Sequence, residues 1–215
     1  MDEKLEKLYK KNKELAKILY DLKESLDLDK IIGLNANTLN SSGAGKQFFA
    51  YSQYLAQRYC AVSICKIFEK PKNYELNSIP GILDFIEREG FPFDSKEAEK
   101  FKTKYGEKGQ DSFAAVKKVS EIFIERHKDN LEQVREFRDK RIAHSETITF
   151  ENKSMPSYDV MEQLLQFGID FYSMISRGYL RIVPVDFTRD ARVLVSVCNL
   201  LKKIGIENIK KDFTN

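Results

Sequence analysis

Residues 135–146 read "REFRDKRIAHSE", and within them Arg138, Asp139, Lys140, Arg141 and His144 are the side chains best suited to chemistry. Imidazole has an unperturbed pKa of about 6.5, so His144 can take up or release a proton near neutral pH. Guanidinium stays charged and presents a planar fork of donors, so Arg138 can hold an oxyanion and steady charge that grows on it. Asp139 can orient a neighbouring cation or the imidazole, while Lys140 and Arg141 offer charge to a flanking anion. The same residues also have plain structural readings. Arg138 can pair with a buried carboxylate, Arg135 and Asp139 are spaced as an i,i+4 surface ion pair, and His144 can interact with the dipole at a helix C-terminus.

Arg138 is singled out by its place in the pattern. Leu131, Val134 and Ile142 lie seven and four residues before it and four after, so a continuous helix would turn the guanidinium toward the core. An inward arginine requires a partner or a purpose.

The elements that must position this stretch are helical throughout. Residues 2–28 carry Leu5, Leu8, Leu15, Leu19, Leu22 and Leu26 at alternating threes and fours, with Asn12 in the one gap of the seam. The pattern suits either a short coiled coil or, since Ile18 widens the stripe, a helix lying on its own globular core; the second is the expectation adopted. Residues 35–45, "NANTLNSSGAG", read as a loop. They lack the first glycine and the Ser or Thr of a phosphate-binding loop, and no strand precedes them. Residues 46–69 place apolar and aromatic side chains around most of a helix, which predicts a central, largely buried element.

A short helix is expected over 79–89, stopped by Gly90 and Pro92, and an exposed, lysine-rich one over 94–105. Residues 112–126, capped by Asp111 or Ser112, continue through "HKDN" into 131–143, straight or bent, with His127 read as a surface residue. Residues 147–154 read as irregular or briefly extended. A long apolar helix over 156–178 and a last one over 191–204, closed by Gly205, complete the chain. No alternation marks a sheet, so the fold class is all-α: a helical bundle with an amphipathic N-terminal helix and a C-terminal helical extension, in a single domain over 1–215.

Composition narrows the function without choosing one. The 215 residues are 42% hydrophobic and 32% charged, as in a globular protein that folds unaided. A net charge of +3 identifies no nucleic-acid binder. The opening residues lack the apolar stretch of a signal peptide and no later segment is uncharged for long enough to span a bilayer, so a cytoplasmic chain without a membrane partner is expected. Cys60, Cys65 and Cys198 sit in apolar helical runs and read as buried thiols, with no disulfide, no metal site and no cofactor expected. The carboxylates are scattered among lysines at helical surface spacing, and Tyr51, Tyr54 and Tyr59 read as packing residues.

An arginine, a polar residue directly after it, and a histidine five positions beyond the polar one, at a helix end in an all-α chain, resemble the HEPN family. The wider wording "RDKRIAH" is similar to its abortive-infection, AbiU-type branch, with Arg138, Asp139 and His144 at the signature positions. The resemblance implies a HEPN-like core over roughly 45–180, after an N-terminal helix and loop (1–44) and before the C-terminal extension (181–215).

It further implies a metal-independent endoribonuclease of phage defence or of a toxin–antitoxin pair. In that reading Arg138, His144 and Asp139 are catalytic and Lys140 and Arg141 bind RNA. The partners are an RNA substrate, a second copy of the chain in a homodimer and, for a toxin, a cognate antitoxin. A non-catalytic HEPN module that binds RNA or a protein, and a purely structural helical domain, are the alternatives.

Overall fold

The computed structural model describes residues 2–43, 45–71, 75–91, 95–106, 113–140, 155–187 and 192–210. Among these residues there are α-helices and short π-helical stretches, and no strand. The all-α expectation is met.

Helix α1 (Glu3–Leu34) begins where Asp2 accepts a hydrogen bond from the Lys4 backbone N–H at 3.1 Å, with Glu3 and Glu6 favourably placed in its first turn. Its leucines at 8, 15, 19, 22 and 26 are all buried, and they pack within the chain against α3 (Lys46–Phe68), α8 (Tyr158–Met174) and α4 (Ile79–Glu89). The seam is therefore a core stripe and not a coiled coil. Asn12, in its gap, donates from Nδ2 to Ser176 Oγ at 2.9 Å. Ser176 lies in the π-helical turn Ile175–Tyr179, which widens the end of α8 and leaves the Ser176 carbonyl to accept from Ile182 N–H at 2.9 Å.

α1 runs six residues past its expected end, and the expected loop after it contains a second helix, α2 (Ala36–Ser42). Turn-forming residues gave the loop reading, but tertiary contacts override that local preference. Leu39 is buried with Ile31, Ile32, Phe49, Cys198, Leu201 and Ile206 in a second apolar cluster. Asn35 fixes the joint: its amide donates to the Ile31 and Lys210 carbonyls and its Oδ1 accepts from Lys210 N–H at 3.0 Å. Gly43, at φ 68°, ends the helix in the left-handed region.

α4 is capped by Ser78, whose Oγ accepts from Gly81 N–H at 3.1 Å. It ends at Gly90, as the sequence indicates. α5 (Ser95–Lys104) is not the exposed helix expected from its lysines. Ala98, Phe101 and Lys102 are buried, because this helix delivers Phe101 to an aromatic cluster with Phe167, Phe171 and Tyr105. At its centre Phe123, from α6 (Phe113–Arg126), stacks on Phe167 with centroids 3.8 Å apart. The last helix, α9 (Arg192–Lys203), closes the second cluster, with Gly205 at φ 87° beyond it.

The expected caps Asp111 and Ser112, Pro92 and residues 147–154 lie outside the described residues. No helix among the described residues is long and apolar enough to cross a membrane.

α1, α3 and α8 also share a polar knot. Asp29 is buried, accepts from Gln57 Nε2 at 3.1 Å and is further hydrogen-bonded to Gln53 and Tyr158. Burial raises its pKa and these bonds only partly oppose the rise. The unfolded carboxyl titrates near about 3.9, so above that pH the folded chain keeps a proton that the unfolded chain has lost, and stability falls as pH rises through the window. Replacing Asp29→Asn removes this titration. In melting measurements the difference between variant and parent should move in the variant's favour as the pH is raised from about 4 to 7. A pH-independent difference would contradict the assignment.

Candidate functional site

The segment leading to the charged motif bends once. α6 and α7 (Lys128–Arg138) meet at His127, which stands at φ −100° and ψ 15° between them. His127 is not the surface residue expected from its polar neighbours. It is 7% exposed, its ring lies 4.5 Å from that of Phe123, and its buried Nδ1 has no hydrogen-bond partner among the described residues. Burial, with a smaller contribution from Arg126, lowers its pKa, so it is a neutral imidazole at neutral pH. The bend carries it into the aromatic cluster, well removed in sequence from the motif.

α7 packs on α3 through Leu131, Val134 and Phe137, all buried. Arg138 does not turn inward as the sequence pattern suggested. Phe137, three residues after Val134, completes the inner stripe, and Arg138 lies at its edge with 29% of its side chain exposed. Ile142, the other residue that defined the stripe, lies outside the described residues. Residues 139–140 continue in π-helical winding, so the helix is no longer regular where the motif begins.

The guanidinium has identifiable partners. Its Nε donates to Asp139 Oδ1 at 2.8 Å, and its Nη1 lies 3.8 Å from Oε2 of Glu69, the residue that ends α3. The first of these bonds is the main reason that Arg138 has a raised pKa. Asp139 thus takes its bond from the adjacent arginine and not from Arg135, the i−4 partner that spacing suggested. Lys140 Nζ is 4.0 Å from Glu136 Oε2, one helical turn back.

Arg138 and Arg135 also act on Cys65 of α3. Burial nevertheless pushes that thiol up to about 11, which keeps it neutral and unreactive. Cys60, Cys65 and Cys198 are all free and buried. Among the described residues no group of three or more His, Cys, Asp or Glu side chains is arranged to hold a metal ion.

Of the five motif residues, the structure therefore places Arg138, Asp139 and Lys140 together at the end of α7. Arg141 and His144 lie outside the described residues. Glu69, which anchors the arginine to α3, was not singled out by sequence reasoning. Nothing local marks it, since its link to Arg138 spans 69 positions and exists only once α3 and α7 pack.

An all-α bundle with an arginine-led charged motif at the end of one of its helices is the architecture of a HEPN-like protein. The chain belongs to the HEPN_AbiU2 family: a family model described as AbiU2 matches residues 3–193. This makes it an abortive-infection-type HEPN protein. The match runs from the start of α1 into α9, so the long N-terminal helix lies within it. No curated protein and no solved structure matches the chain.

The packing ties Arg138 only loosely to the core. Arg138 is partly exposed, one of its bonds goes to an adjacent residue, and its distance to Glu69 exceeds that of a hydrogen bond. Such a pair contributes about 0–1 kcal/mol to stability. Arg138→Ala is therefore expected to keep the helicity of the parent and to melt within a few degrees of it, by circular dichroism. A loss of folding would make the arginine a structural element.

Proposed function

We propose that the protein is a metal-independent endoribonuclease acting in phage defence or as the toxin of a toxin–antitoxin pair. The observation that carries the reading is the partly exposed Arg138 at the end of α7, its Nε oriented by Asp139, in a chain of the HEPN_AbiU2 family. Arg138 is the phosphate ligand. Its Nη1 stands beyond hydrogen-bond distance of Glu69, and a phosphate offers the fork shorter, bidentate contacts. Asp139 fixes the plane of the fork.

His144 is the proton-transfer group, and Lys140 and Arg141 hold flanking phosphates. In the reaction the ribose 2′-hydroxyl loses its proton to a base and attacks the adjacent phosphorus. The bond to the 5′-oxygen breaks, and that oxygen takes a proton. The products are a 2′,3′-cyclic phosphate and a 5′-hydroxyl end, and no metal is consumed or required. Arg138 stabilises the charge on the phosphoryl oxygens during the transfer.

The second reading, a non-catalytic HEPN module that binds RNA or a protein partner, draws on the carboxylates already beside Arg138. Purified parent chain should cleave RNA, and Arg138→Ala and His144→Ala should each lower the rate by about 10²- to 10³-fold while leaving the chain folded. Cleavage should survive excess chelator and fail on RNA that carries a 2′-deoxyribose at the cut position. Parent-like rates in both variants, or activity lost to chelator and restored by magnesium, would remove the assignment. RNA retention without cleavage by the parent would select the second reading.

One copy of the motif supplies one histidine, whereas the reaction is helped by both a base and an acid. On an unbroken helix Arg138 and His144 would project about 120° apart, at about 100° per residue. A homodimer that faces two motifs across one cleft meets both demands by symmetry. Mixing Arg138→Ala with His144→Ala protomers under exchange conditions should restore part of the cleavage that each lacks. Full activity from a strict monomer in solution would end the shared-site proposal.

A further inference from the structure

α3 does not have the largely buried surface that its aromatic residues suggested. Phe48, Tyr51 and Tyr59 are 60–62% exposed, although buried residues of the same helix reach 0%. At 100° per residue, Phe48, Tyr51, Leu55, Tyr59, Val62 and Lys66 fall within an arc of about 80°, forming one stripe about 27 Å long. Beside it Tyr54 lies 6.5 Å from Tyr51 between ring centroids, and the Arg58 guanidinium covers the Tyr54 ring at 5.4 Å.

One end of the stripe opens on a cleft of about 350 Å³, walled by Phe48, Phe49 and Leu200 with Ser52 and Ser196 among its polar groups. The other end reaches Glu69, and through it Arg138. Two cations accompany the stripe, Lys66 on it and Arg58 at its edge, and α3 itself has not one Asp or Glu.

We propose that the outward face of α3 is the track on which a single-stranded RNA substrate lies, its bases stacked on Phe48, Tyr51 and Tyr59 and its backbone led to Arg138. The proposal rests on the endoribonuclease reading and gives its substrate a path. Exposed rings interleaved with cations, without a carboxylate on the helix, are the combination that holds unpaired bases and phosphates together. A duplex keeps its bases stacked on each other and cannot use the rings.

A second copy of the chain is the poorer occupant. A twofold contact brings a patch against itself, so Arg58, near the middle of the stripe, would face its own copy across two antiparallel α3 helices with no α3 carboxylate between them.

The test is fluorescence anisotropy with a labelled, mixed-sequence RNA of about 12 nucleotides. The full-length chain carries His144→Ala so that the RNA stays intact. Tyr51→Ala and Tyr59→Ala should each weaken binding about tenfold, the order that loss of one stacked base gives, while Tyr51→Phe and Tyr59→Phe bind like the background chain. Abasic substitution in the RNA should reproduce the loss, and the same sequence as a duplex should bind more weakly than the single strand. Unchanged binding in the alanine variants would overturn the track, as would equal losses in the alanine and phenylalanine variants.

Conversion of a dimer to a monomer by the alanine variants, with RNA affinity intact, would also overturn it and seat a second copy on the face. The track and the enzyme fail separately. Ring-dependent binding to a parent chain that cleaves nothing keeps the track and removes the endoribonuclease reading, whereas cleavage with ring-independent binding does the reverse.

Discussion

The close packing of α1 on α3 fixes the positions of the other helices. α1 contributes a row of buried leucines, and α3 buries the small residues Ala56, Cys60, Ala61 and Ser63. Small side chains let two helices approach, and close approach removes apolar surface from water at about 25 cal/mol per Å². α8 then packs against α1 with Gly168 at the crossing, where an added Cβ would stand 2.5 Å from Leu19 Cδ2. Asp29, held by side chains of α3 and α8, sets the rotation of these three helices about one another.

Once α3 is fixed, its remaining faces are assigned different work. Its side toward α7 buries Phe137 and Val134 and brings Glu69 to Arg138. Among the described residues no helix lies over its outer side, which carries the exposed rings. The motif arginine is thereby referenced to the core by a long-range contact, while its nearest hydrogen bond comes from the next residue in sequence. Asp139 and Glu69 hold the guanidinium from two sides while 29% of the side chain stays exposed. The aromatic cluster around Phe123 and Phe167 steadies the same region from below, since the bend at His127 that aims α7 is packed against it.

Elements with strong local signals were legible in the sequence. The α1 leucines, the glycine stops of α4 and α9 and the apolar stripe of α8 each depend on neighbours within a few residues, and each was placed to within a turn or so. The end of α1 and the whole of α2 were not legible. Asn, Ser and Gly favour turns in isolation, and what makes this stretch helical is Leu39 in an apolar cluster and Asn35 bonded to Lys210, 175 positions away. His127 was misread for a similar reason, because its sequence neighbours are polar and its spatial neighbour is Phe123.

The sequence by itself determined the all-α class, the packing stripe of α1 and the "RDKRIAH" stretch with its family resemblance, because periodicity and short-range spacing are local properties of the chain. Only the tertiary structure decided which way the residues between those patterns face. Arg138 is at the edge of α7 because Phe137 takes the inner position against α3, and it meets Glu69 because two distant helices pack. Phe48, Tyr51 and Tyr59 are exposed because α3 has more apolar circumference than its partners cover. Hydrophobic residue types report that burial is favourable, but which faces receive a partner depends on how many helices there are and where they fit.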